Sequence, residues 1–249
     1  MLDHDPRIST LDRLNPVYKV YLQQLLENRA DPETIEGYIE LLLSPSQIEE
    51  KIITALNVLN NLAVTPDTAI HPLVHQGYQM VDSFLTEKTR LLKQHRGVFF
   101  VYGSMRFDDP HNLDLDSVVI TEIENVVLRV LCETYWTDEL VSLWGTRLNR
   151  DTDGPGYTSV ERLNQHCKQI KNRNSRYLSK NAVFIEGDFD FASSALTGFP
   201  YYLPNPQTVE TIKKSVFGLS IKNPLMGSAI YMSLAQCIED RLSRRGGFQ

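Results

Sequence analysis

Apolar positions recur at helical intervals along the N-terminal part of the chain. Asp31-Pro32 predicts a helix start, with Asp as cap and Pro at the first helical position. The helix continues through ETIEGYIELLL. Ser46 and Glu49 have the spacing of a capping box, and behind them Ile48, Ile52, Leu56 and Leu59 recur on one face. Val74, Tyr78, Val81, Leu85 and Leu92 predict a further helix from Pro72 to Arg96, which Gly97 would end as a left-handed stop. The texture changes at Val98. VFFVY is a short apolar run of strand-preferring residues, and LDLDSVVIT beyond the polar MRFDDPHN is a second strand candidate. A helical pattern follows from about Glu124 to Leu148. NRDTDGPGYTS reads as a loop, Val160 to Leu178 as a helix and NAVFIEGDFDF as a third strand. The proline-rich, aromatic TGFPYYLPNPQ breaks the pattern, and TVETIKKSVFGL and PLMGSAIYMSLAQCIEDRLSRR are helical.

This succession predicts an α+β protein in which a small mixed β-sheet lies between two helical segments. The expected divisions are a helical segment 1–96, a core 97–200 and a C-terminal helical segment 201–249. The formal net charge of -6 argues against a protein that coats long duplex DNA, while leaving room for a local basic patch. MLDHDPRISTLD lacks the apolar stretch of a secretory signal, and no segment has the continuous apolar run of a membrane span. The three cysteines, Cys132, Cys167 and Cys237, are far apart and form no CxxC pair. They read as reduced thiols, and the expected compartment is the cytoplasm.

The chemistry concentrates between Gly103 and Ile120. A buried strand ends in Gly103-Ser104, where Gly permits close approach of the backbone to a bulky anion and Ser adds a hydroxyl. Asp114 and Asp116 follow on the next strand candidate. Alternation puts both carboxylates on one face, with Leu115 pointing the other way. Two adjacent carboxylates repel unless a cation lies between them, and Mg²⁺ takes carboxylate, phosphate and water oxygens.

GSMRFDDPHNLDLDSVVI resembles the signature of polymerase-beta-type nucleotidyltransferases: an apolar strand, Gly-Ser, a spacer, then Asp-apolar-Asp entering a second apolar strand. The resemblance covers about Gly97 to Phe191, and Gly103, Ser104, Asp114 and Asp116 match position for position. It implies nucleotide binding by Gly103, Ser104 and the spacer's Arg106, and a third carboxylate on a later strand. FIEGDFDF offers Glu186, Asp188 and Asp190 on one face if it is a strand. Asp190, flanked by Phe189 and Phe191, fits best, and Asp188 fits nearly as well. The implied mechanism uses two Mg²⁺ (or Mn²⁺) ions on Asp114, Asp116 and the third acid. It moves a nucleoside monophosphate from ATP or another NTP to an acceptor hydroxyl, with release of pyrophosphate. The acceptor, whether a small molecule, a protein side chain or an RNA end, stays open. The spacer departs from many relatives in lacking Gly and in holding Asp108 and Asp109.

Two other readings compete. A non-catalytic module, binding nucleotide or a partner as an antitoxin does, would retain the fold without the chemistry. The DxD of metal-dependent glycosyltransferases usually follows an apolar strand, whereas here the apolar run comes after the pair. Elsewhere, Lys168 to Lys180 is the most basic stretch, read first as a solvated helix face. Phe199, Tyr201 and Tyr202 could stack on a base or tether the core to its helices.

Overall fold

The structure, a computed structural model, describes Leu11 and residues 14–63, 71–108, 116–135, 155–202 and 205–246. Helices α1 (Pro16–Glu27), α2 (Pro32–Leu43), α3 (Ile48–Leu62) and α4 (Pro72–Gln94) come first. Strand β1 (Val98–Val101), a single helical turn Gly103–Arg106 and strand β2 (Ser117–Thr121) follow. The short helix α5 (Val126–Val130) then leads to β3 (Pro155–Ser159), α6 (Val160–Lys171), α7 (Ser175–Thr197), the two-residue β4 (Phe199–Pro200), α8 (Pro206–Lys222) and α9 (Pro224–Gly246).

The sheet is mixed, in the order β3-β2-β1-β4. β1 runs antiparallel to β2 and β4, and β2 runs parallel to β3. Pairing of Val98 with Ile120 and of Phe100 with Val118 puts all four residues on one face, where they join the core built with α1–α3 and α6–α9. Phe99 and its partner Val119 face the other way, onto Val74, Tyr78, Val81, Leu85 and Leu92 of α4. One strand therefore serves two cores by simple alternation. Pro200 is tolerated because β4 is an edge strand, which can do without one N–H.

The N-terminal helices belong to the larger of these cores. α1 packs on α7, and both α2 and α3 pack on α9. Asp31 caps α2 as its sequence predicts, accepting from the Thr34 N–H at 2.8 Å. The expected capping box does not form. A 3₁₀ turn over Pro45–Gln47 moves the start of α3 to Ile48, and no side chain caps it. Nor does Gly97 end α4. Arg96 takes the left-handed conformation (φ 53°), and the Gly97 N–H returns to the Leu92 carbonyl at 2.8 Å. Gly97 is small for a different reason: a Cβ there would lie 3.1 Å from Leu128 and 3.3 Å from Leu92.

Three further expectations change. PGYTS is a strand rather than a loop, paired along β2, and Gly156 lets the Phe191 ring of α7 approach it closely; a Cβ would come within 2.3 Å of that ring. The helix from Val160 breaks at Asn172–Asn174, where Arg173 is left-handed (φ 55°). NAVFIEGDFDF is helical, lying wholly within α7. Its Ile185, Gly187, Phe189, Phe191 alternation coexists with a longer rhythm: Leu178, Ala182, Ile185, Phe189, Ala192 and Leu196 recur every three or four residues, and all are buried. That stripe faces the core, so the helical period wins. Of the helix expected from Glu124 to Leu148, α5 and a π-helical stretch at Leu131–Tyr135 are described, and the remainder lies outside the described residues.

Candidate functional site

The site is built where β1 runs out. The Tyr102 N–H donates to the Asp116 carbonyl at 2.9 Å, extending the β1–β2 ladder one step past its last strand pair. Gly103 then turns with φ +60°, a conformation that L side chains rarely adopt. A Cβ on Gly103 would lie 1.6 Å from Asp116 Oδ2, so the carboxylate of Asp116 rests directly on the glycine's Cα. Gly103 and the second Asp of the DxD pair, separated in sequence by the whole spacer, are thus in contact. Ser104 and Arg106 lie in the same helical turn. Asp114 lies outside the described residues, as does Asp109 of the spacer. Asp108 turns away: left-handed at φ 54°, it accepts from the His71 N–H at 2.7 Å at the start of α4.

Cations gather on the same side. Arg106 is half-buried, and its Nε donates to the Thr197 carbonyl at 3.3 Å. Lys213 of α8 donates from Nζ to the next carbonyl, Gly198, at 3.3 Å and lies 5.7 Å from the centre of the Phe100 ring. Burial lowers the pKa of Lys213, and the nearby Arg106 lowers it further. Burial likewise lowers that of Arg106, opposed by Tyr78. On α9, the Arg241 guanidinium lies 5.2 Å from the centre of the Phe107 ring. One turn earlier, burial raises the Cys237 thiol; Arg241 draws it back and the Asp116 carboxylate adds a small upward push. Asp116 is therefore within electrostatic reach of α9.

The three acids expected on one strand face are dispersed around a helix, because residues two apart point to different sides of α7. Asp188 is buried in the core and committed to an ion pair. It accepts from Arg162 Nε and from His166 Nε2, each at 2.7 Å, and His166 Nδ1 hydrogen-bonds the Tyr177 hydroxyl at 2.7 Å. Glu186 and Asp190, four residues apart, share the opposite face. Glu186 accepts from the hydroxyls of buried Tyr21 and, at 2.5 Å, Tyr38. Burial raises its pKa, the two hydroxyls pull it down, and Asp190 pushes it up. Asp190 accepts from Ser233 Oγ at 2.7 Å and is exposed on the wall of a pocket of about 620 Å³. Ser233 and Cys237 are one turn apart on α9, so a single helix face connects Asp190 to the surroundings of Asp116. Among the described residues, no three His, Cys, Asp or Glu side chains converge closely enough to hold a metal ion.

Lys213 gave no sequence signal. It sits beside Lys214 in TIKKS, and Lys214 is an exposed partner of Glu210 at 2.8 Å. Only the fold separates the two. The aromatic cluster is a tether: Tyr201 stacks on Tyr78 with ring centres 5.2 Å apart and donates to the Tyr78 carbonyl, while Tyr202 donates to the Gly97 carbonyl. Among the described residues, no helix is long and apolar enough to cross a membrane. No protein-family profile, curated protein or solved structure matches the chain.

Proposed function

We propose that the chain is a metal-dependent nucleotidyltransferase that passes a nucleoside monophosphate from ATP, or another NTP, to an acceptor hydroxyl. The observation that carries the reading is the contact between the Gly103 turn and the Asp116 carboxylate. A glycine stands where only a glycine fits, against a carboxylate expected to hold metal, and this supports the reading. Arg106 and Lys213 place positive charge beside that turn, suited to a triphosphate. Asp114 and Asp116 would hold Mg²⁺ or Mn²⁺, with Asp190 as the third acid, since it is exposed at a pocket and held by a single hydroxyl, whereas Asp188 is ion-paired and Glu186 accepts from two tyrosines. When bound, the metal would supply charge neutralisation at the departing pyrophosphate and acidify the acceptor hydroxyl. The protein's own share is orientation and electrostatic preorganisation.

The test is incubation with each NTP and Mg²⁺ or Mn²⁺, across small-molecule, protein and RNA acceptors, with pyrophosphate and labelled product as readouts. Asp114→Ala and Asp116→Ala are expected to lower turnover by roughly 10³-fold or more. Activity that survives both changes overturns the proposal. A non-catalytic nucleotide-binding module is the second reading, favoured by the commitment of Asp188 to Arg162 and His166. It predicts NTP binding in calorimetry without turnover on any acceptor.

A further inference from the structure

Between Lys168 and Lys180 the chain carries five basic residues and no acid, within a protein of net charge -6. The fold wraps this segment around the turn between α6 and α7. Lys168, Lys171, Arg173, Arg176 and Lys180 are all exposed, and none of them forms an ion pair among the described residues. Asn172 and Arg173 end α6 within one tight turn, so the cations of two helices are held close together. Like charges concentrated in this way repel, and a polyanion relieves the repulsion.

The stripe does not end with charge. Phe184 follows Lys180 by four residues, one turn further along α7 on the same face, and is 66% exposed. Val183 beside it is 51% exposed and leads to Gly187 and Asp190 on the wall of the 620 Å³ pocket. Exposed cations followed by an exposed aromatic ring suit a ligand that offers phosphates and flat, unstacked bases. A duplex offers the phosphates but keeps its bases stacked inside. A membrane surface would call for a continuous apolar helix face, and Arg176, Lys180 and Gly187 interrupt this one.

We propose that the outer face of α7 and its leading turn, comprising Lys168, Lys171, Arg173, Arg176, Lys180 and Phe184, bind single-stranded nucleic acid. Phosphates lie along the cations, and a base stacks on Phe184. The inference stands apart from catalysis. Where the nucleotidyltransferase reading also holds, it makes a nucleic-acid end the acceptor.

Fluorescence anisotropy with a labelled single-stranded RNA of about 12 nucleotides, titrated between low and physiological salt, tests it. The Arg173→Gln, Arg176→Gln, Lys180→Gln triple variant is expected to bind at least roughly tenfold more weakly and to show a salt slope smaller by about two. Phe184→Ala is expected to weaken binding roughly tenfold while keeping the salt slope, and Phe184→Tyr to restore it. All four residues are exposed, and circular dichroism confirms folding of each variant. Absence of binding at low salt overturns the proposal. So does equal affinity for duplex, indifference to both sets of variants, or capture by phosphatidylserine vesicles in place of RNA. Because the readout is binding, its failure leaves pyrophosphate release untouched, and loss of turnover leaves this binding untouched.

Discussion

Gly103 meets two demands at once, a left-handed backbone and a carboxylate pressed against its Cα. The Gly103→Ala variant adds both strain and overlap, and should lose roughly 2 kcal/mol or more in urea unfolding. The Gly103→Ala, Asp116→Gly double variant separates the two: recovered stability assigns the cost to the Asp116 contact. If the double variant is as unstable as Gly103→Ala alone, backbone strain is the whole cause. Glu186 makes a second residue-level prediction. Its folded-state pKa is raised, chiefly by burial, so folding favours its protonated form. Its contribution is fully present below the usual carboxyl pKa and is lost as pH rises through the raised value. Glu186→Gln should therefore gain stability relative to wild type as pH climbs out of the acid range, in paired denaturation curves. A pH-independent difference would contradict this.

Helix ends are the informative elements. α1, α4 and α6 all close with an arginine in the left-handed position, Arg29 (φ 72°), Arg96 (φ 53°) and Arg173 (φ 55°). Each is followed by an N–H returning to a carbonyl in the last turn: Ala30 to Leu25, Gly97 to Leu92 and Asn174 to Gln169. A left-handed non-glycine residue costs about 1 kcal/mol. Arg29→Gly and Arg96→Gly should each raise the melting temperature by about 2–4 °C. Unchanged or lower values would mean that these side chains stabilise the ends by other contacts. Within α7, the buried acid Asp188 fixes the helix against α6 through Arg162 and His166. Asp188→Ala leaves Arg162 and His166 Nε2 without their shared carboxylate and should cost about 3 kcal/mol in chemical denaturation.

At the scale of the molecule, the helices before the sheet and those after it form one body of side chains. Tyr21 and Tyr38 from α1 and α2 donate to Glu186 on α7, and α3 lies along α9. Gly37 and Gly227 permit this closeness. A Cβ would lie 2.5 Å from Met232 at Gly37, and 2.6 Å from Ile48 at Gly227. Deletion of residues 1–63 would uncover the apolar flanks of α7 and α9, and should produce a chain that binds a hydrophobic dye and aggregates. A monodisperse fragment that unfolds cooperatively would show the remainder to be self-sufficient.

Local order was legible wherever one period dominated. The amphipathic stripes of α3 and α4, the Asp31-Pro32 start, the VFFV strand and the glycine turn after it all follow from neighbouring residues, because backbone propensity and side-chain alternation act at short range. PGYTS was illegible as a strand, since its pairing depends on β2, distant in the chain. NAVFIEGDFDF carries two periods at once, and the choice between them fell to the core that receives Ile185, Phe189 and Ala192. The same choice dispersed its three acids, sending Asp188 inward and leaving Asp190 at the pocket. So the sequence by itself determined a glycine turn at the end of an apolar strand and an aspartate at the entrance of the next, and these two meet as Gly103 and Asp116. Only the tertiary structure decided which later side chains stand near them, Lys213 and Arg241 among them, because that depends on how distant helices pack rather than on any spacing along the chain.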